Sequence, residues 1–333
     1  MRLGVIGPGL IWQKKHKSAL AKLANIFSIS AFCAASERLK AETLHDYPNA
    51  AYQTDLQAFV KRDDIDAVVV LTPIQMNAPA ALAALRAGKD VFLEKPMAHS
   101  VQAGLEVLEV AQQTGRHVWV LENAVYQPVC QILKNIIAEN QIGDPLYFNH
   151  VAHSPIDAYS NDCGGYGKTR WRIQPEYPLG ALLDGGVHTV AILSTIFGMP
   201  EWVFATGSKL RPEFGEYDHI VMQLGYSGQL KGILSHSSTL GEKHNSFTIW
   251  GSRGSVVIED HQLIVETDQG EIRQIELSQL DMHDEMWSAF ERSITRNEPP
   301  PYTLAHAWGD LATLMAVGES IKTGQKGYIK LDR

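Results

Sequence analysis

The first third of the chain alternates short apolar runs with longer amphipathic stretches. Arg2–Ile6 reads as a short buried strand and is followed at once by Gly7-Pro8-Gly9. Apolar positions recur at helical spacing over Trp12–Leu23, a second apolar run covers Ile26–Ala34, and Glu37–His45 is helical again. Ala67–Leu71 is an unbroken Ala-Val-Val-Val-Leu run, the signature of a central parallel strand buried on both faces. A helix over Ala78–Ala87 stops at Gly88, which suits the residue just past a helix end. Val91–Leu93 then reads as a strand, Val101–Gln113 as a helix and His117–Leu121 as a strand. Strands alternating with helices of roughly 10–15 residues predict βαβ units and a doubly wound parallel sheet.

The pattern changes near Ile142-Gly143-Asp144-Pro145, a turn-like stretch. Beyond it, Leu146–His153, Trp202–Lys209, His219–Tyr226, Leu230–Ser238, Ser246–Trp250, Ser255–Glu259, Leu263–Thr267 and Ile272–Leu277 all read as strands. Several alternate apolar with polar residues and are joined by turns such as Ser227-Gly228, Ser252-Arg253-Gly254 and Asp268-Gln269-Gly270, which predicts a largely antiparallel meander. Helices are expected over Leu182–Phe197, His283–Arg296 and Leu304–Thr323, the last able to pack back on the first domain. The fold class is therefore α/β: a Rossmann-type doubly wound sheet in residues 1–122, then a domain over residues 123–333 with a large open, mostly antiparallel sheet. Val221, Ile233 and Ile249 are expected on the exposed face of that second sheet, where a second subunit would cover them.

Composition narrows the function classes. The 333 residues carry 37 acidic and 29 basic side chains, a net charge of −8, which disfavours nucleic acid as a partner. No apolar run approaches the ~20 residues of a membrane span. The 3 cysteines, Cys33, Cys130 and Cys163, form no C-x-x-C pair, so neither a disulfide framework nor a zinc ribbon is expected. A reducing cytoplasm is the simplest home, and a glycine loop already at residue 7 leaves no room for a signal peptide.

Three segments carry candidate chemistry. Gly7-Pro8-Gly9 followed by Leu10 and Ile11, between a strand and a helix, supplies two of the three glycines of a dinucleotide fingerprint. Trp12 stands where the third small residue is usual, so the helix is expected to shift there by one residue. After the second strand, Cys33-Ala34-Ala35-Ser36-Glu37-Arg38 has no acid at the strand end to take a ribose hydroxyl. Ser36 and Arg38 suit a 2′-phosphate, so NADP is favoured over NAD, with Glu37 as the residue that argues the other way. Leu93-Glu94-Lys95-Pro96 puts a lysine at the C-terminal end of a strand, where open α/β sheets bind ligands, and the proline bond there is a candidate for cis. In Gly180–His188, Asp184 and His188 are four apart and share a face if they open a helix, although Asp184 also reads as a helix cap and His188 as a core histidine. Lysine, aspartate and histidine together form a proton-transfer set. His150-x-x-His153 lies on a strand with its rings on opposite faces, and no metal is expected.

Gly7-x-Gly9, Glu94-Lys95-Pro96 and Asp184-x-Gly186-x-His188, in that order and spacing, resemble the Gfo/Idh/MocA family (glucose–fructose oxidoreductase, inositol dehydrogenase and relatives). Thr72-Pro73 after the third strand, Trp171-Arg172 before the Asp/His segment and the sheet-rich second half extend the resemblance over nearly the whole chain. The chain departs from the family pattern at Ile74-Gln75-Met76-Asn77, where Asn-x-x-His is frequent, and at Val125, where arginine is common after the usual Asn123.

The resemblance implies a nicotinamide lying between the two domains and a pyridine-nucleotide oxidoreductase acting on a sugar, polyol or related carbonyl compound. It gives Gly7, Pro8, Gly9, Leu10, Ile11, Ser36, Arg38, Thr72, Pro73, Glu94, Lys95 and Asn123 to the cofactor. Lys95, Asp184 and His188 would act on the reacting oxygen and its proton, and Trp171 and Arg172 would join them around the substrate. The loop from His153 to Arg172, with Tyr159, Asp162 and Arg170, adds further polar groups. A homodimer or homotetramer is implied as well. Two other readings share the fold: a glycoside hydrolase that uses its nicotinamide transiently, and a dinucleotide-sensing regulator without catalysis, against which the retained Lys95, Asp184 and His188 argue.

Overall fold

A computed structural model describes residues 1–156, 165–241, 243–259 and 262–330. Two compact units divide the chain: Met1–Asn123 with Asp281–Trp308, and Ala124–Leu280 with Gly309–Arg333.

The first unit is built on β1 (Arg2–Ile6), β2 (Ser28–Cys33), β3 (Ala51–Gln53), β4 (Ala67–Val70), β5 (Asp90–Glu94) and β6 (Val118–Leu121). They pair in the order β3-β2-β1-β4-β5-β6, all parallel. The order reverses between β1 and β4, and the crevice outside the strand ends at such a switch point is where this architecture binds ligands. β4 is buried at every position, as its unbroken apolar run predicts. β3 and the helix Leu56–Val60 were not foreseen; three and five residues are too short to show a period. The helix expected from Ala78 begins at Ile74 instead, just after Pro73, and runs through Pro79 to Arg86. A proline in the second turn removes one hydrogen bond without stopping the helix when packing holds both sides, and eight residues of this helix are buried.

The first helix opens with a π-helical stretch, Trp12–His16, before α-helical Lys17–Ala21. The wider turn absorbs one extra residue. Trp12 is thereby fully buried and meets the Phe32 ring edge-on at 5.7 Å.

Asp281–Trp308, expected in the second domain, belongs to the first unit, and its helix Met282–Arg296 presents one apolar face. Trp287 is completely buried against Phe27 (5.5 Å) and Phe92 (4.9 Å), and the Trp119 indole donates to Ser293 Oγ at 3.1 Å. Truncating a tryptophan in such a position costs about 3–5 kcal/mol.

The second unit carries β7 (Pro145–His153), β8 (Trp202–Ser208), β9 (His219–Gly225), β10 (Lys231–Ser237), β11 (His244–Gly251), β12 (Gly254–Glu259), β13 (Gln262–Thr267), β14 (Ile272–Glu276) and β15 (Gly327–Tyr328). Their order is β14-β13-β12-β11-β7-β10-β9-β8-β15. The expected meander is interrupted once, because β7 inserts between β11 and β10 and runs parallel to β10. All other pairs are antiparallel. Phe148, Leu234, Phe247, Val256 and Leu263 are buried, and the Phe148 ring stacks on Phe197 of the helix Val187–Phe197 at 5.0 Å. Phe204, Val221, Trp250 and Ile264 are exposed. Ile249, expected among the exposed residues, is fully buried, and its neighbour Trp250 takes the outer face. Side chains alternate strictly along a strand, so a one-residue misreading reverses the face. Among the described residues no helix is long and apolar enough to cross a membrane.

Candidate functional site

In the first unit, β1 ends in a loop that only glycine fits at its first position. Gly7 has φ +75°, and a Cβ there would lie 2.8 Å from Leu71 O. Its N–H donates to Cys33 O at 2.9 Å, which fastens the loop to the end of β2. Gly9 is different: the nearest atom to a Cβ would be Gly7 O at 3.9 Å, so the chain's own packing does not demand glycine there. Room beside Gly9 is what a pyrophosphate needs to approach the main chain. The N–H groups of Leu10 and Ile11 fall in the first helical turn, where no intrahelical acceptor exists and anions are favoured. These donors and that space fit a dinucleotide.

The segment after β2 has another occupation. The Ser36 hydroxyl caps the helix Glu37–Asp46 by accepting from Leu39 N at 3.4 Å. Arg38 is an exposed side chain whose Nη1 meets Glu42 Oε1 at 2.6 Å. Cys33 is buried, and burial pushes its thiol up to about 11, which makes it unreactive near neutrality.

β5 ends at Glu94, and Lys95-Pro96 follow with the bond between them cis. Asn77, fully buried on the neighbouring helix, donates from Nδ2 to Glu94 O (3.1 Å) and to Pro96 O (2.9 Å), while its Oδ1 accepts from Thr72 Oγ1 (2.8 Å). The buried Glu94 carboxylate faces His16 Nε2 at 3.4 Å. Trp287 Nε1 can only donate, so His16 Nδ1 accepts from it at 3.1 Å and the ring proton on Nε2 points to Glu94. Burial would push the Glu94 carboxyl up, but the His16 hydrogen bond and the nearby Lys95 ammonium hold it below the usual range. Asn123 opens a short helical turn and donates to Met282 Sδ at 3.8 Å.

In the second unit, the helical stretch Leu182–Gly186 is a π turn that leads directly into the helix Val187–Phe197. Asp184 lies inside the turn and does not cap it; the cap position belongs to Ala181. Its carboxylate is buried against Arg172, with Nε to Oδ2 at 2.5 Å and Nη2 to Oδ1 at 3.5 Å. Arg172 also donates to Tyr166 O and lies 4.0 Å above the Trp171 ring. Arg172 therefore holds Asp184 in place, and one face of Trp171 is covered. Burial, together with the Asp184 charge and against that of Arg172, raises the Tyr177 phenol, which stays protonated. Beneath the turn, buried His236 meets Thr189 Oγ1 at 3.5 Å through Nδ1. Burial and four neighbouring histidines lower it to about 3, so it is a neutral ring. His150 faces inward, bonded to Asn245 Oδ1 at 3.0 Å, whereas His153 faces outward, bonded to Ser235 Oγ at 3.0 Å. Tyr159 and Asp162 lie outside the described residues.

Sequence reading proposed Lys95, Asp184 and His188, noted Asn77 only as a departure from the family pattern, and passed over His16 and His236. The signal for Asn77, His16 and His236 is a polar residue at an apolar position of a helix or strand, as with His236 in the alternation of Gly232, Leu234 and His236.

A parallel sheet in the order 3-2-1-4-5-6, a glycine turn off its first strand and a lysine at the end of its fifth define a dinucleotide-binding protein of the Rossmann class. The chain belongs to the Gfo/Idh/MocA family of oxidoreductases: residues 1–122 match the oxidoreductase family with NAD-binding Rossmann fold, and residues 130–257 match the GFO/IDH/MocA C-terminal domain. It is an enzyme of the dehydrogenase and reductase kind. It is 25% identical to the scyllo-inositol 2-dehydrogenase (NADP(+)) of Bacillus subtilis (strain 168) over 77% of this chain and 68% of that protein. A crystal structure of an oxidoreductase from Thermotoga maritima superposes with a TM-score of 0.89 at 26% identity, covering 99% of this chain and 98% of that one. Levoglucosan dehydrogenase in complex with NADH and levoglucosan shares the fold, with a TM-score of 0.86 at 19% identity and 99% of each chain covered.

Proposed function

We propose that the enzyme interconverts a hydroxyl and a carbonyl group on a sugar, polyol or related polyhydroxylated small molecule. The bound nicotinamide dinucleotide supplies or accepts the hydride. Gly7, Pro8, Gly9, Leu10 and Ile11 hold the pyrophosphate, and Thr72, Pro73, Glu94 and Asn123 complete the cofactor contacts. Ser36 and Arg38 favour the 2′-phosphate of NADP, for which Arg38 exchanges its Glu42 partner for phosphate oxygens.

Lys95 donates from its ammonium to the reacting oxygen, and its charge stabilises the alkoxide character that develops there. His188 takes the hydroxyl proton in one direction and returns it in the other. Asp184, paired with Arg172, orients His188 or accepts from a neighbouring substrate hydroxyl. The observation that carries this reading is the Glu94–Pro96 loop, where both carbonyls beside Lys95 are tied down by one buried amide. A chain does not fix a surface lysine at its root in this way for solvation alone. Support for the substrate class comes from the inositol dehydrogenase and the levoglucosan complex, whose names carry polyhydroxylated rings.

The test is a screen of sugars, inositols, sugar acids and nucleotide sugars with NAD and NADP, followed by the absorbance of the reduced nicotinamide. Turnover on a polyhydroxylated compound is expected. Turnover confined to compounds that lack neighbouring hydroxyls would refute the substrate class.

A further inference from the structure

We infer that Asn77 is a positioning residue for Lys95, clamping the main chain on both sides of that lysine and joining it to the Thr72 hydroxyl; this rests on the role proposed for Lys95. An asparagine amide has two N–H donors and one oxygen. Here the nitrogen faces Glu94 O at 3.1 Å and Pro96 O at 2.9 Å, one residue before and one after Lys95, and the oxygen takes the Thr72 hydroxyl at 2.8 Å. Reversing the amide would set an oxygen against two carbonyls, so the chemistry permits one orientation only. The residue has 0% exposure, and no solvent can replace a lost bond without a cavity opening.

The consequence reaches Lys95 through its root. A lysine side chain has several rotatable bonds, and the protein controls its ammonium mainly by fixing the direction in which the side chain leaves the backbone. Two anchored carbonyls bracket that point. The third bond links the loop after β4 to the loop after β5, so that the Thr72 and Lys95 segments move as one piece. Nothing else in the sequence at this position calls for asparagine. The other buried residues of the helix Ile74–Arg86 are all apolar, Ile74, Ala78, Ala81 and Leu85 among them.

Asn77→Asp keeps the shape and removes both donors. Asn77→Leu does the same without a charge and serves where the aspartate variant does not fold. Asn77→His restores a single donor. Two readouts are taken on each. The first is the acetylation rate of the Lys95 amine in cofactor-free protein, measured by peptide mass spectrometry against the other lysines as internal references. The second is the split between kcat and the KM for cofactor, on a substrate found by the screen. Altered Lys95 labelling with the other lysines unchanged, a kcat fall of roughly 10²-fold of the kind a small misplacement produces, and partial recovery in Asn77→His are expected. Lys95 labelling at the wild-type rate in folded Asn77→Asp or Asn77→Leu would overturn the inference, whatever the variants do to the melting temperature. Full activity of Lys95→Ala would instead remove the underlying reading of Lys95, and the labelling result would still decide whether Asn77 holds the loop.

Discussion

The Arg172–Asp184 pair allows a stability prediction to be separated from a catalytic one. Both groups are largely out of water, with side-chain exposures of 16% and 6%, and Nε lies 2.5 Å from Oδ2. Removing one partner from such a pair leaves a buried charge without compensation, which costs about 3–5 kcal/mol. Arg172→Met keeps most of the aliphatic volume over the Trp171 ring and removes the guanidinium that faces the buried Asp184 carboxylate. At about 2–4 °C per kcal/mol for a unit of this size, the melting temperature should fall by ~6–20 °C. Adding Asp184→Leu removes the other charge of the pair and should recover at least half of the loss, because an apolar pair of similar volume is often neutral in such a place. Activity should not follow stability: the double variant folds but remains inactive, since the proposed proton chemistry needs the carboxylate. Urea unfolding followed by circular dichroism, with turnover measured on the same preparations, reads both. A loss below ~1 kcal/mol for Arg172→Met, the range of solvent-exposed pairs, would refute the reasoning, as would a double variant less stable than either single one.

The remaining predictions follow from single observations. Burial lowers His150 to about 4 and His236 to about 3, so the unfolded chain binds more protons as the pH drops below about 6.5; the urea midpoint should fall from about pH 6.5 down to about pH 3, whereas a midpoint flat between pH 6.5 and 4 would show that the rings are already charged in the fold. Arg38→Ala should weaken NADPH binding roughly tenfold more than NADH binding, the worth of a charge-assisted hydrogen bond, in a fluorescence titration; equal losses or tighter NADH binding in the parent would sink the NADP preference. Phe204, Val221, Trp250 and Ile264 are exposed on strands of the second sheet. We propose that a second copy of the chain covers that face, so light scattering should give a dimer or tetramer that Trp250→Arg weakens; a monomer at micromolar concentration would contradict this.

Much of this fold is written locally. All eight strands expected beyond residue 145 form, most within one or two residues of their predicted ends, because alternation with period two and turn residues are properties of adjacent positions. Ile249 shows the limit: in the run Phe247-Thr248-Ile249-Trp250 the inward face is occupied by Phe247 and Ile249, and which apolar residues turn outward is decided by β7 and β12 on either side. The insertion of β7 between β10 and β11 is likewise a pairing across a long sequence distance, with no local sign. Trp287 reads as one apolar position of an amphipathic helix, yet its partners Phe27, Phe92 and His16 lie far away near the start of the chain. At the candidate site, Lys95 was proposed from its place at a strand end, and Asp184 and His188 from their spacing of four around Gly185-Gly186. Arg172 was read as a substrate contact, and only the fold reveals that Asp184 occupies its guanidinium. Asn77 was noticed as a departure from the pattern, while its three hydrogen bonds depend on the approach of two loops.

Lys95→Ala tests the central claim most directly. On a substrate found by the screen, the variant should bind reduced cofactor with nearly the parent affinity in a fluorescence titration, while turnover falls by at least ~10²-fold, the lower end of general acid–base contributions. Lys95 acts on charge that develops at the substrate oxygen and little on the cofactor in its ground state. Parental turnover in Lys95→Ala, with the cofactor still bound, would contradict the account and place the acid–base chemistry elsewhere.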